Sequence, residues 1–418
     1  MVVLLTTAII LLAGLLLTRV TKLLHLNFPD VTVYLLTGLL VGPYCLGRLG
    51  IEGIGFKNFA EVEALGIIST VALGFIAFSI GAEFKMDKIA HSGKATIVIG
   101  IMQALMATIL VDIALVILHF MLGPEVLPIP VCITLGAIAS ATAPAATLMV
   151  VKQYKAHGPV TDLLLPIVAL DDAVGLIIFA ISLGVAQAIN GGNLNFISII
   201  VNPILEIICS IILGSLLGFC LTRLEKIFFS NDHRMAMTIT FVLLAIALSS
   251  LVFSFGNLKV SFSSLLVLMM MGTVFCNTSA YAADLFERTD HWAAPLYVAF
   301  FVLSGAELDL KVFTQPSSLL IGAVYIIMRC AGKYLGSCLP AKAMKLNENI
   351  VRYLGITLFP QAGVALGMVN SAQVLGPVNG SLIRNVILLS VLIYELVGPS
   401  LTKMSLEKAG EIEPIENR

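Results

Sequence analysis

Apolar runs of roughly 16 to 24 residues recur along almost the whole chain, separated by short polar connections. Each reads as a helix, most of them long enough for a hydrocarbon layer of about 30 Å. Thirteen are counted, at residues 2–17, 31–46, 62–80, 95–118, 131–151, 163–186, 204–221, 236–252, 262–278, 293–308, 319–339, 353–369 and 382–399. The first has neither a basic segment before it nor a small-residue cleavage site after it, so it reads as a membrane helix rather than a signal peptide.

Inside the sixth run stand two adjacent carboxylates, Asp171 and Asp172. Charge at the bilayer centre is expensive, so a pair there points to function. Consecutive helical residues turn by about 100°, so the two cannot share a face and different tasks are expected of them.

A second pattern is internal. Phe75-Ile76-Ala77-Phe78-Ser79-Ile80-Gly81-Ala82-Glu83-Phe84 is echoed 224 residues later by Ala299-Phe300-Phe301-Val302-Leu303-Ser304-Gly305-Ala306-Glu307-Leu308. The copies close the third and tenth runs. An odd separation of seven runs makes them inverted in the membrane, the architecture of alternating-access transporters. The fifth and twelfth runs, again seven apart, carry internal prolines, Pro144 and Pro360. Each removes a backbone donor among small and hydroxyl residues, which suits an unwound segment near the midplane; an ordinary kink is the alternative.

Composition agrees with a membrane protein. The 418 residues are 59% hydrophobic and only 12% charged, where a soluble domain carries about 25% charge. Net charge of -1 offers nothing to nucleic acid. Most of the 24 Lys and Arg fall in odd-numbered connections and the C-terminal tail, while Arg48, Lys57, Lys259 and Lys311 fall in even ones. That bias predicts an outside N-terminus and a cytoplasmic C-terminus. The seven cysteines are scattered without metal-ligand spacing, and there is no phosphate-binding Gly-Lys-Ser/Thr loop. Asp112, Glu206, Arg384 and Glu395 lie within or near the runs; Arg384 and Glu395 read as structural or surface-exposed. Glu83 and Glu307, beside Lys85 and Lys311, read as interfacial rather than as an ion funnel.

Together the motif Phe28-Pro29-Asp30-Val31-Thr32-Val33-Tyr34-Leu35-Leu36-Thr37-Gly38-Leu39-Leu40-Val41-Gly42-Pro43, the stretch from Leu65-Gly66 to Gly81-Ala82-Glu83, and Asp171-Asp172 resemble the monovalent cation/proton antiporter superfamily. The closest likeness is to its electrogenic sodium/proton antiporter branch, and it covers nearly the whole chain. It implies an all-α polytopic membrane protein of about 13 transmembrane helices, with inverted repeats and two crossing, partly unwound helices. It further implies a transmembrane exchanger domain over residues 1–401 in the inner or plasma membrane. Transport-core elements are expected at about 62–187 and 293–401, scaffold and dimer elements at about 1–50 and 201–280, and a short cytoplasmic tail at 402–418. A homodimer is expected from the resemblance.

By the same resemblance, Thr142-Ala143-Pro144 and Phe359-Pro360-Gln361 match the unwound regions. Asp172 matches the aspartate that binds Na⁺ or H⁺, with Asp171 possessing a basic partner and a secondary share in the ion. Arg329 and Lys333 are i,i+4 in the eleventh run and both face one site. Arg329 looks like the family's basic position, with Lys333 the other candidate. Since guanidinium stays charged, an arginine partner would leave any second proton to Asp171. No cofactor is implied; the transported species are Na⁺ or Li⁺ and H⁺. Relatives that exchange potassium often carry Gln-Asp and a nucleotide-binding domain, so the Asp-Asp pair and a tail of about twenty residues favour sodium. The alternatives are a K⁺/H⁺ antiporter and, further off, a cation channel or a non-transport scaffold.

Overall fold

The computed structural model describes residues 2–24, 28–49, 55–82, 84, 86–190, 201–255, 258–308 and 316–412, without the side chains of 2–4, 86–92, 172, 202–203 and 254–259. Glu83, Lys85 and Lys311 lie outside the described residues. Sixteen α-helices follow in order: α1 (Val2–Leu23), α2 (Asp30–Val41), α3 (Phe59–Glu63), α4 (Gly66–Gly81), α5 (Met86–Leu122), α6 (Ile129–Ile138), α7 (Pro144–Tyr154) and α8 (Pro159–Ile189). Then come α9 (Asn202–Leu224), α10 (Asn231–Ser249), α11 (Ser264–Thr278), α12 (Ala282–Ala306), α13 (Pro316–Ala343), α14 (Glu348–Thr357), α15 (Gly363–Ala372) and α16 (Pro377–Lys408). A hairpin of β1 (Phe253–Phe255) and β2 (Leu258–Val260), with Phe253 opposite Val260, lies between α10 and α11. It is the one departure from an all-α chain among the described residues.

Every apolar run falls on a helix, except that the third begins in α3 and continues along α4, and the fifth and twelfth fall on the interrupted pairs α6/α7 and α14/α15. Among the described residues, eight helices are long and apolar enough to cross a membrane, and four shorter apolar ones accompany them. Apolar side chains such as Leu12 and Leu16 on α1, Ile113 and Ile117 on α5, and Ile212 and Leu216 on α9 point outward, as a lipid-facing surface requires.

Packing sorts the helices into two groups. In one, α5 lies along α13, α6 and α8, α13 also packs on α14 and α16, and α7 and α15 pack on α16. In the other, α11 packs on α9 and α4, and α12 on α4, α2 and α1. The expected boundaries at 62 and 293 place α4 and α12 with the core; in the structure α4 packs chiefly on α11 and α12, and α12 on α2, α4 and α1. The reason lies in the repeated Gly-Ala motifs. A β-carbon on Gly81 would collide with α11 backbone at Met269 and Gly272, and one on Gly305 with α2 backbone at Leu35. Each copy thus buries its glycine against the apolar run that precedes the run of the other copy, a reciprocal arrangement that matches an inverted repeat.

The expected tail also changes. α16 continues to Lys408, with Thr402, Lys403, Ser405 and Leu406 buried. Beyond it Glu411 accepts from the Val160 and Thr161 amides at 2.6 and 2.8 Å. Those amides are orphan donors of the first turn of α8, so the segment after α16 caps the helix that carries the aspartate pair.

Candidate ion-binding site

α6 stops at Ile138 and α7 starts at Pro144; α14 stops at Thr357 and α15 starts at Gly363. Proline at the first helical position is favourable because its missing N–H is an orphan there in any case. The breaks therefore cover residues 139–143 and 358–362, and they cross: the Ala143 amide donates to the Pro360 carbonyl at 2.8 Å. Of the expected residues, Thr142, Ala143, Phe359, Pro360 and Gln361 lie in these breaks, while Pro144 opens the second half-helix.

A helix end leaves up to four carbonyls without partners, and the bilayer supplies no water to satisfy them. Here the basic pair of α13 does so. Arg329 donates from Nε to the Ala139 carbonyl at 3.0 Å, from Nη2 to Ala141 at 2.6 Å and from Nη1 to Phe359 at 2.7 Å. Its guanidinium also lies 4.6 Å over the Tyr394 ring. Lys333 reaches the Ser140 carbonyl. Gln361 donates to the Ile138 carbonyl at 3.0 Å and to Tyr325 at 2.9 Å.

Lys333, not Arg329, meets the aspartate. Its Nζ lies 2.9 Å from Asp171 Oδ2, and both side chains are fully buried. This corrects the preferred order of basic partners. Nε, Nη1 and Nη2 of Arg329 are turned to helix-end carbonyls, so the planar fork serves backbone while the compact ammonium serves the carboxylate. Two neutral groups complete the pair. Thr142 Oγ1 accepts from Lys333 at 2.9 Å and donates to Asp171. Gln103 accepts from Lys333 and donates to Asp171 Oδ1, each at 2.5 Å.

Gln103 is absent from the sequence-based expectations. Its signal was a lone amide in the apolar run of α5. What brings it to Lys333 is the spacing Gly332–Gly336: a β-carbon on either glycine would strike the α5 backbone at Ala107 or Gln103, so the helices touch there.

Asp172 takes the next position of α8; its side chain lies outside the described part of the structure. On the backbone, position 172 stands one turn before Leu176. From Leu176 the face continues through Phe179, Ala180, Leu183 and Gln187, which line a cavity of about 490 Å³ between the two helix groups. Glu206, Ser263, Ser264 and Ser371 complete its polar lining. At the opposite end of the bundle the groups are tied together: Lys152 of α7 pairs with Asp290 of α12, which also accepts from Ser79 at 2.5 Å and Tyr297 at 3.0 Å. Glu395, expected to be structural or surface-exposed, is buried, whereas Arg384 is exposed.

Among solved structures, the fold is similar to the sodium proton antiporter MjNhaP1 from Methanocaldococcus jannaschii. One structure of that protein, at pH 8, gives a TM-score of 0.68 with 18% identity over 98% of this chain and 99% of that one. A second, from an electron-microscopy map, gives 0.73 with 17% identity over 98% of each. In sequence, the chain is 23% identical over 391 residues to the K(+)/H(+) antiporter subunit KhtU of Bacillus subtilis, covering 91% of this chain and 88% of that one. It is 21% identical over 405 residues to the Na(+)/H(+) antiporter NhaS4 of Synechocystis, covering 93% and 94%. The transmembrane sodium/hydrogen exchanger family model matches residues 7–408, so this multi-pass membrane protein belongs to that family of cation/proton antiporters.

Proposed function

We propose that the protein exchanges Na⁺, or Li⁺ in its place, for H⁺ by alternating access, with Asp172 as the ion-carrying carboxylate. The observation that carries the reading is the buried Asp171–Lys333 pair at the crossing of two interrupted helices. Asp171 is occupied by its lysine, which leaves the neighbouring carboxylate for the ion. Sodium and proton both use the negative charge of that carboxylate, so they bind it competitively, and apparent sodium affinity weakens as pH falls. The group containing α5, α8 and α13 is the moving body and the group containing α2, α11 and α12 the scaffold. With the N-terminus outside, the cavity below Leu176 is the outer access route, and Lys152–Asp290 closes the cytoplasmic side. A homodimer in the inner or plasma membrane, formed through the scaffold, follows from the family resemblance.

Electrogenic exchange, two protons for each Na⁺, fits a lysine partner, since an ammonium, unlike a guanidinium, can release a proton. A K⁺/H⁺ reading is kept because KhtU, a relative at similar identity, is named for potassium. Solid-supported membrane electrophysiology in Na⁺, Li⁺ and K⁺ gradients tests both. Sodium- and lithium-driven currents, lost in Asp172→Asn, are expected. Currents with K⁺ alone would transfer the reading to potassium, and near wild-type transport by Asp172→Asn would remove Asp172 from the mechanism.

A further inference from the structure

A second cavity, of about 120 Å³, lies where α12 and α4 of one helix group face α7 and α16 of the other. Leu265 and Val364 line both it and the larger cavity, so the two are neighbours. Its polar side chains all present oxygen: Glu307, Glu395, Ser69 and Ser304, beside the first turns of α7 and α15. Among the described residues that line it, none is basic.

Glu307 is exposed, at the mouth. Glu395 is 8% exposed and faces the cavity without a hydrogen bond to any described residue. Glu307, of the same sign, lines the same cavity. Independently of the carboxylates, the Ser69 hydroxyl is buried with no hydrogen-bond partner. A buried carboxylate and a hydroxyl without a partner are each costly, and the two residues line the same cavity. By this measure of volume roughly 15 Å³ holds one water, so the cavity has room for an ion with several waters. Two carboxylates and two hydroxyls suit a hard cation, and the monovalent ion of the proposed exchange is the one available to the cavity.

We propose that this cavity is a second monovalent-cation site, separate from Asp171 and Asp172, with Glu395 as its buried ligand and Glu307 at its entrance. A cation held there touches both helix groups at once, so its binding favours the arrangement seen here.

Equilibrium binding of radiolabelled Na⁺ to the purified full chain tests the assignment. At saturating sodium the wild type should hold two ions per chain, Asp172→Asn one, Glu395→Gln one, and the double variant none. The ion retained by Glu395→Gln at the Asp172 site reports that this variant is folded. If Asp172→Asn keeps both ions, the Asp172 reading fails, while a one-ion loss in Glu395→Gln still supports the second site. One ion in the wild type that disappears with Asp172→Asn would overturn the proposal. So would residual binding in Asp172→Asn that Glu395→Gln leaves unchanged. Either result would leave Glu395 as a counter-charge to the first turns of α7 and α15.

Discussion

Removing the Lys333 side chain strikes the centre of the crossing and separates it from Arg329. The ammonium stands 2.9 Å from Asp171, with neither side chain exposed. At an effective dielectric of 20 the attraction at that distance is about 6 kcal/mol, much of it offset by desolvation. Breaking a buried pair by deleting one partner typically costs about 3–5 kcal/mol, because the other charge is left uncompensated. Lys333→Ala should therefore lose about that much stability. Adding Asp171→Asn removes the orphan charge, so the double variant should lose less than the sum of the singles, with a coupling of about 2 kcal/mol. Arg329→Ala should also be destabilising, at about 1.5–3 kcal/mol for each of three charge-assisted hydrogen bonds. Those bonds go to carbonyls, so its loss should be close to additive with Asp171→Asn. Denaturant unfolding of the five purified variants in one detergent, read as two double-mutant cycles, measures both couplings. A stronger coupling of Asp171 to Arg329 than to Lys333 would refute the reasoning.

Lys152→Ala or Asp290→Asn should loosen the closed end, making a cysteine placed at Ala156 react faster with a soluble maleimide; unchanged labelling would mean that the contact closes nothing. Glu411→Gln keeps the shape of the cap on α8 but removes its charge, and should cost about 0.5–2 kcal/mol, read as a lower melting temperature with faster amide exchange at Val160 and Thr161. Gly305→Ala should cost about 1–3 kcal/mol through overpacking against the Leu35 backbone, and unaltered stability would show that α2 and α12 yield there.

The sequence by itself determined what the membrane imposes. Thirteen apolar runs had to become helices or interrupted helices, because lipid satisfies no backbone group. The repeated Gly-Ala-Glu segments and the two prolines exposed the inversion and the breaks, since glycine and proline act through the local backbone wherever they stand. The carboxylate pair stands out in the sequence by the cost that burial in an apolar run would carry. Tertiary structure alone decided partnership. Arg329 and Lys333 share one helical face, and only the meeting of α13 with the crossing sends one to carbonyls and the other to Asp171. Gln103 became a bridge because two glycines on another helix let α5 close upon it, a contact 230 residues away in sequence. α4 and α12 joined the second helix group for the same reason: which glycine meets which backbone depends on how the two repeats interlock, and one-dimensional periodicity holds no record of that.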